Sequence, residues 1–401
     1  MSARTHWSRV IFGLALAYLA AFQLFKLPPV LPTLLDSYHY DRTLAGALVS
    51  VYAAMGLLLS VPLGRWLARS GPWPPLAAAL VVVLAGNALA LLAPGSIGLM
   101  LLARGLEGSA FAVLAIAGPS FANRYAGPAA LPLVIALTAA WIPSGQLLAT
   151  LLTPAALALY GWQALWWVAM LATLGMALWC RRLALRGVTL DRADHSAAPP
   201  LSPIQRRRLR LVGAIFLLWS GQFFAYMTWL PQYLVEVYGF SVEQALLGYA
   251  LPVTMVIAGN LAGGWLLRCG LRVAPLLGAA LALQVLMWAL LPVTGGGAGG
   301  MLSLLAYGAG AGVTPTCLFA MPSTIGGQRG AAAPVFAILM TGRNGGVLLG
   351  PLLLAEALKW TGGWTVAGPL FGSVSAMAVG LALLLGRRLR DDDPDPENAL
   401  R

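Results

Sequence analysis

Gly64-Arg65-Trp66-Leu67-Ala68-Arg69-Ser70-Gly71 closes one long apolar run, and Gly263-Gly264-Trp265-Leu266-Leu267-Arg268-Cys269-Gly270 closes another 199 residues later. Leu31-Pro32-Thr33-Leu34-Leu35, at the end of the first run, is echoed at the same offset by Leu230-Pro231-Gln232-Tyr233-Leu234, at the end of the seventh. Two echoes at one offset mark a unit of six runs used twice. Working outward, the runs lie near 10–35, 42–66, 74–93, 96–122, 130–155, 162–181, 211–236, 243–267, 273–293, 299–322, 333–357 and 364–386. A helix needs roughly 20 apolar residues to cross a hydrocarbon core of about 30 Å, and these runs supply them. The expected fold is an all-α polytopic membrane protein, with 12 transmembrane helices in two pseudo-symmetric six-helix bundles. Residues 1–181 form the first bundle, 182–210 a cytoplasmic linker, 211–387 the second bundle and 388–401 an acidic tail.

Composition agrees. Of 401 residues, 59% are hydrophobic and 9% charged, against about a quarter charged in soluble domains, so most of the chain belongs in lipid. A net charge of +12 raises the question of a nucleic-acid partner, and the positions of the cations answer it. With the N-terminus in the cytoplasm, twenty arginines, among them Arg65, Arg69, Arg206, Arg268 and Arg387, fall inside, against Arg42 and Lys359 outside. That asymmetry is the positive-inside signal of a multi-pass inner-membrane protein with both termini cytoplasmic. No nucleic acid is needed to explain it, and the Arg206–Arg210 cluster is suited to anionic lipid heads. The first run is too long for a cleavable signal and lacks a small-residue cleavage site. Cys180, Cys269 and Cys317 give neither a disulfide framework nor a metal spacing. His6, His39 and His195 sit in ends or loops, and no catalytic constellation can be assembled, so neither an enzyme nor a cofactor or metal is expected.

These residues resemble the major facilitator superfamily. Its loop word G-x-L-A-D-R-x-G is matched by Gly64, Leu67 displaced by one, Arg69 and Gly71, with Ala68 in place of the aspartate. Its fourth-helix R-x-x-x-G is matched by Arg104 and Gly108, its fifth-helix motif in part by Pro143 and Gly145, and its turn before helix six by Gly161-Trp162-Gln163. The resemblance implies two bundles rocking about a solute held at the midplane, with Arg69, Arg104 and Glu107 in gating or proton coupling. Within the superfamily the chain is most similar to the cyanate and 2-nitroimidazole porters, through Lys26-Leu27-Pro28, Leu106-Glu107-Gly108, Gly118-Pro119 and Trp229-Leu230-Pro231.

Three cations, Lys26, Arg104 and Arg343, remain inside the runs, where a charge costs about 3 kcal/mol unless it is paired or put to use. Lys26 stands ten residues before Asp36, roughly 15 Å deep at 1.5 Å per residue, and Arg343 is as far from the inner start of its helix. Either Lys26 snorkels and Arg343 binds carbonyls exposed by Gly342, Gly345 and Gly346, or the two form a clamp, one from each bundle, around a small anion. Arg104 and Glu107, at i, i+3, are either a structural pair or the seat of proton coupling. Gln23, Tyr52, Trp141, Gln222, Tyr226, Trp229 and Tyr307 either line the pocket or simply pack. Glycines at 308, 310, 312, 345, 346 and 350 permit close packing or a sliding helix pair. The loop with His195, and the tail with Asp391-Asp392-Asp393, read as solvated.

The expected protein is a monomeric secondary transporter in the lipid bilayer. It moves a small anionic organic solute by alternating access, with protons as a coupling partner. A multidrug or metabolite exporter, and a non-transporting sensor or scaffold, stay open as alternatives.

Overall fold

The computed structural model describes residues 5–127, 130, 134, 137, 138, 140–188, 202–326 and 333–390. Among them, twelve helical spans are long and apolar enough to cross a membrane. The first span is divided into α1 (Trp7–Phe25), a 3₁₀ turn at Pro28–Val30 and α2 (Leu31–Tyr38). Then follow α3 (Arg42–Ser70), α4 (Trp73–Leu92), α5 (Ile97–Arg124), α6 (Trp141–Tyr160) and α7 (Gln163–Leu185). The second half contains α8 (Pro203–Glu236), α9 (Val242–Arg268), α10 (Val273–Leu290), α11 (Ala298–Gly326), α12 (Ala333–Thr361) and α13 (Ala367–Arg390).

Local chemistry sets the helix ends. Asp41 caps α3 by accepting from the Thr43 amide, and reciprocal capping boxes, Ser202 with Gln205 and Ser241 with Gln244, start α8 and α9. The Ser202 cap makes α8 begin eight residues earlier than the hydrophobic run, inside the basic segment read as linker. α3 and α9 end at the repeated word, where Gly71 (φ 76°) and Gly270 (φ 89°) take the left-handed turn that a side chain would strain. α6 is described from Trp141, inside the fifth run; most of residues 128–139 lie outside the described residues, as do His195 with its loop and the acidic tail from Asp391.

The two halves pack alike. In the first, α5 lies against α1, α3 and α4, α1 against α6, and α4 against α7. In the second, α11 lies against α9 and α10, α8 against α12, and α10 against α13. Close crossings repeat as well: a Cβ on Gly108 would come within 2.7 Å of the Tyr52 Cα, and one on Gly308 within 2.7 Å of the Pro252 Cα. Across the halves α3 packs on α12 and α6 on α9. Shifting the chain by one repeat exchanges these two contacts, the relationship expected of a pseudo-two-fold axis between the halves. Leu58, Val81, Leu92, Leu171, Leu247 and Leu302 are exposed on the outside, a surface far too apolar for water and suited to lipid.

At the face opposite the α1 start and the α13 end, the halves are tied together. Arg42 donates to both oxygens of Glu236 at 2.7 and 3.0 Å, and Trp364 donates to the same carboxylate. Gly46 of α3 sits against Pro351 and Ala355 of α12. Deeper in, Gln146 of α6 donates to the Tyr249 hydroxyl of α9 at 2.8 Å.

Candidate functional site

The break in the first span creates the centre of the molecule. Pro28 has no N–H, so the Leu24 carbonyl four residues earlier loses its helical partner. Arg104 of α5 fills the gap: its Nη2 donates to Leu24 O at 3.3 Å, its Nη1 to Gln23 O at 2.9 Å and to Glu107 Oε2, and its Nε to Leu48 O at 3.3 Å. Its guanidinium lies 4.5 Å from the Tyr52 ring centre. Four of the five N–H bonds of Arg104 are thus committed to holding α1, α3 and α5 together.

Lys26, the C-cap of α1, is fully buried. Its Nζ donates to Gln23 Oε1 at 2.6 Å, Asn87 Oδ1 at 2.5 Å and Glu107 Oε1 at 2.8 Å. Three acceptors around one Nζ match the three N–H bonds of an ammonium ion. The Trp166 ring stands 4.6 Å away, and the Asn87 amide donates back to Gln23. Glu107 therefore lies between two cations, and both its oxygens are used.

The second half has a counterpart without charge. Gln222 Oε1 accepts from Trp288 Nε1 at 2.7 Å and from the Tyr307 hydroxyl at 2.8 Å, while its Nε2 donates to Gln284 Oε1 at 2.6 Å. Gln284 donates onward to Thr314, and Tyr226 stacks on Tyr307 with ring centres 3.7 Å apart. The cavity beside Tyr226, Trp229 and Trp288 is about 20 Å³, room for roughly one water, so a solute could enter this region only if helices moved apart.

Arg343 of α12 lies between these networks. It is 7% exposed, its guanidinium lies 5.5 Å from the Phe224 ring centre, and Phe224 stacks on Phe25, the neighbour of Lys26. The Arg343 Nη1 donates to Asn344 Oδ1 at 2.9 Å, and its Nη2 is buried with no hydrogen-bond partner among the described residues. The glycines around it do not offer it their carbonyls. They let α12 approach α8, where a Cβ on Gly350 would come within 2.9 Å of the Gly221 Cα.

Several expectations change on this geometry. Lys26 is not one free jaw of a clamp, because Glu107, Gln23 and Asn87 already surround its Nζ. Of the two proposed jaws, Arg343 retains an open donor. Gln23, Tyr52, Arg104 and Glu107 join Lys26 in one network, and Gln222, Tyr226 and Tyr307 join in the other. Trp229 instead donates to Pro351 O, Trp141 stacks on Phe111, and Arg69 is exposed at the end of α3 with no ion pair among the described residues. Asn87, Trp166, Gln284 and Phe224 carry contacts that the sequence reading missed. Asn87 could have been found, as the one polar side chain in the middle of the most apolar span.

Comparison with known proteins fits this architecture. The chain is 26% identical over 212 residues to a protein of Cupriavidus necator described as a probable sulfoacetate transporter, which covers 50% of this chain and 49% of the relative, so the match spans about half the relative's length. Among solved structures it superposes on the POT family transporter PepTSo with a TM-score of 0.76, at 13% identity over 96% of this chain and 99% of that one. It also superposes on the human organic anion transporter MFSD10 with a TM-score of 0.70, at 18% identity over 94% and 100%. At such identities these structures speak for the fold alone. The model of the Major Facilitator Superfamily matches residues 11–351, a stretch that takes in the repeated words, the broken first span and both polar networks, and the chain belongs to that superfamily.

Proposed function

We propose that this transporter moves a small organic anion, with Arg343 as the residue that binds it. The observation that carries the reading is a buried guanidinium, at the meeting of the two halves, with one Nη lacking an acceptor. An unsatisfied buried donor of a charged group is costly, and a carboxylate or sulfonate oxygen would complete it with a charge-assisted bond. The printed description of the C. necator relative agrees with this class. The similarity to cyanate and 2-nitroimidazole porters keeps those compounds among the candidates.

The halves, 1–181 and 211–387, would rock about the centre, parting at the Arg42–Glu236 tie and closing at the other face. The arginine asymmetry supports cytoplasmic termini and a place in the inner membrane. It would act as a monomer and carry solute without chemistry upon it. We assign Glu107 the part of internal counter-ion to Lys26 and Arg104, in preference to proton carrier. An exporter of cationic drugs is disfavoured, because the one buried carboxylate among the described residues already has two cationic partners.

The test is uptake of radiolabelled sulfoacetate, cyanate and acetate into proteoliposomes. Wild type is expected to accumulate at least one of them, and Arg343→Gln to lose that uptake while folding normally. Failure of wild type to move any of the three would remove the reading.

A further inference from the structure

We infer that the preferred substrate is a dianion, an inference that rests on the anion reading above and narrows it. Among the described residues, the buried charges at the centre number three cations, Lys26, Arg104 and Arg343, against one carboxylate, Glu107. Lys26 Nζ is ringed by three oxygen acceptors, which favours the ammonium ion, and arginine keeps its proton in proteins. Glu107, accepting from an ammonium and a guanidinium, is the carboxylate. The centre therefore carries an excess of two positive charges. One sits on Arg343. The other is shared by Lys26 and Arg104, beyond what Glu107 can cancel.

The other acids among the described residues are too far out to help. Asp36, Asp41, Glu236 and Glu243 are exposed at helix ends, and Glu356 lies near the end of α12 beside Trp360. From the second half, the network of Gln222, Gln284, Trp288 and Tyr307 beside Arg343 is neutral. Closing the halves around the site removes the water that would otherwise screen these charges. A monoanion on Arg343 leaves one positive charge uncompensated at that moment. A dianion leaves none, so its second acidic group is recognised by the field of the Lys26–Arg104 pair and need not displace any existing hydrogen bond.

The preference can be read with two matched pairs that differ by one charge at nearly constant size: sulfoacetate with 2-sulfoacetamide, and malonate with malonamate. Each compound is used at neutral pH to protect the full-length protein from thermal unfolding and, labelled, for uptake into proteoliposomes. The dianion of at least one pair is expected to bind and be taken up roughly tenfold or more better than its monoanion, the scale set by one unpaired buried charge. Arg343→Gln should weaken both members and the dianion more, so that the preference is lost, and Arg343→Lys should keep it. Equal handling of both members by wild type, or an equal loss of both in Arg343→Gln, overturns the dianion inference and leaves anion transport standing. If neither member of either pair binds or moves, and cyanate and acetate also fail, the anion reading falls and the inference with it. The wild-type comparison decides the matter even if a variant does not fold.

Discussion

Gln23 and Gln222, 199 residues apart, are the hubs of two polar networks at corresponding places in the two halves. Gln23 Oε1 accepts from Lys26 and Asn87, and Gln222 Oε1 accepts from Trp288 and Tyr307. One amide position of the ancestral unit thus serves charged groups in the first half and neutral aromatic donors in the second. The fold is symmetric, and the electrostatics are not.

The neutral hub gives a stability test. Gln222→Leu removes the shared acceptor and leaves the Trp288 N–H and Tyr307 O–H buried without partners, at about 1–3 kcal/mol for each donor. A marked fall in the melting temperature of the purified protein in detergent is expected. A variant that melts with wild type would mean that other acceptors reach these two groups.

The charged hub should respond unequally to the loss of its members. Lys26→Gln leaves Glu107 paired with Arg104, a neutral pair, whereas Glu107→Gln leaves two cations facing each other. The second change should therefore destabilise more, by about 3–5 kcal/mol, the scale for breaking a buried pair from one side. In the double variant one cation is gone, so its loss should be smaller than the sum of the single losses. Denaturation of the four proteins in a mild detergent measures this, and strict additivity would deny the contact.

Much of this fold was legible because bilayer thickness imposes one length on every span and duplication imposes one offset on the landmarks. The left-handed glycines at 71 and 270 follow from the repeated word that contains them. The partnership of Lys26 was not legible. Sequence spacing brings Glu107 to Arg104 on one helix, but Lys26 reaches Glu107 and Asn87 across α1, α4 and α5, from 81 and 61 residues away. Burial of Arg343 could be inferred from its depth. That its Nη2 would be unpartnered depends on how α8 and α12 pack, which no local pattern encodes.

That packing depends on small residues at one place. A Cβ added to Gly350 would come within 2.7 Å of the Gly221 carbonyl carbon, whereas one added to Gly264 would meet nothing within 4 Å. Gly350→Ala must push α12 away from α8 and should cost about 1–3 kcal/mol, the usual penalty of overpacking. It should also weaken anion binding, because Arg343 rides on the same helix. Gly264→Ala should be neutral or slightly stabilising, since alanine favours the helix. Thermal unfolding with and without a bound anion compares them, and equal behaviour would show that the α8–α12 contact gives way easily.

The Arg42–Glu236 bridge should matter for motion more than for stability. Its side chains are 36% and 28% exposed, and pairs of this kind contribute about 0–1 kcal/mol, so Arg42→Gln should melt within a degree or two of wild type, roughly what such an energy allows. Yet the two residues belong to different halves, and Trp364 and Gln232 hold Glu236 in place from the second. Removing Arg42 therefore weakens a contact that exists only while this face is closed, and a small energy is enough to change the populations of two arrangements of comparable free energy. Spin labels at Ser37→Cys and Val242→Cys, with Cys269→Ser removing the exposed native thiol, would report the separation of the halves at this face. Arg42→Gln should enlarge the population at longer distances. An unchanged distance distribution would show that the bridge rests on the surface without biasing the opening, and that the closed face is held by the apolar contact of α3 with α12 instead.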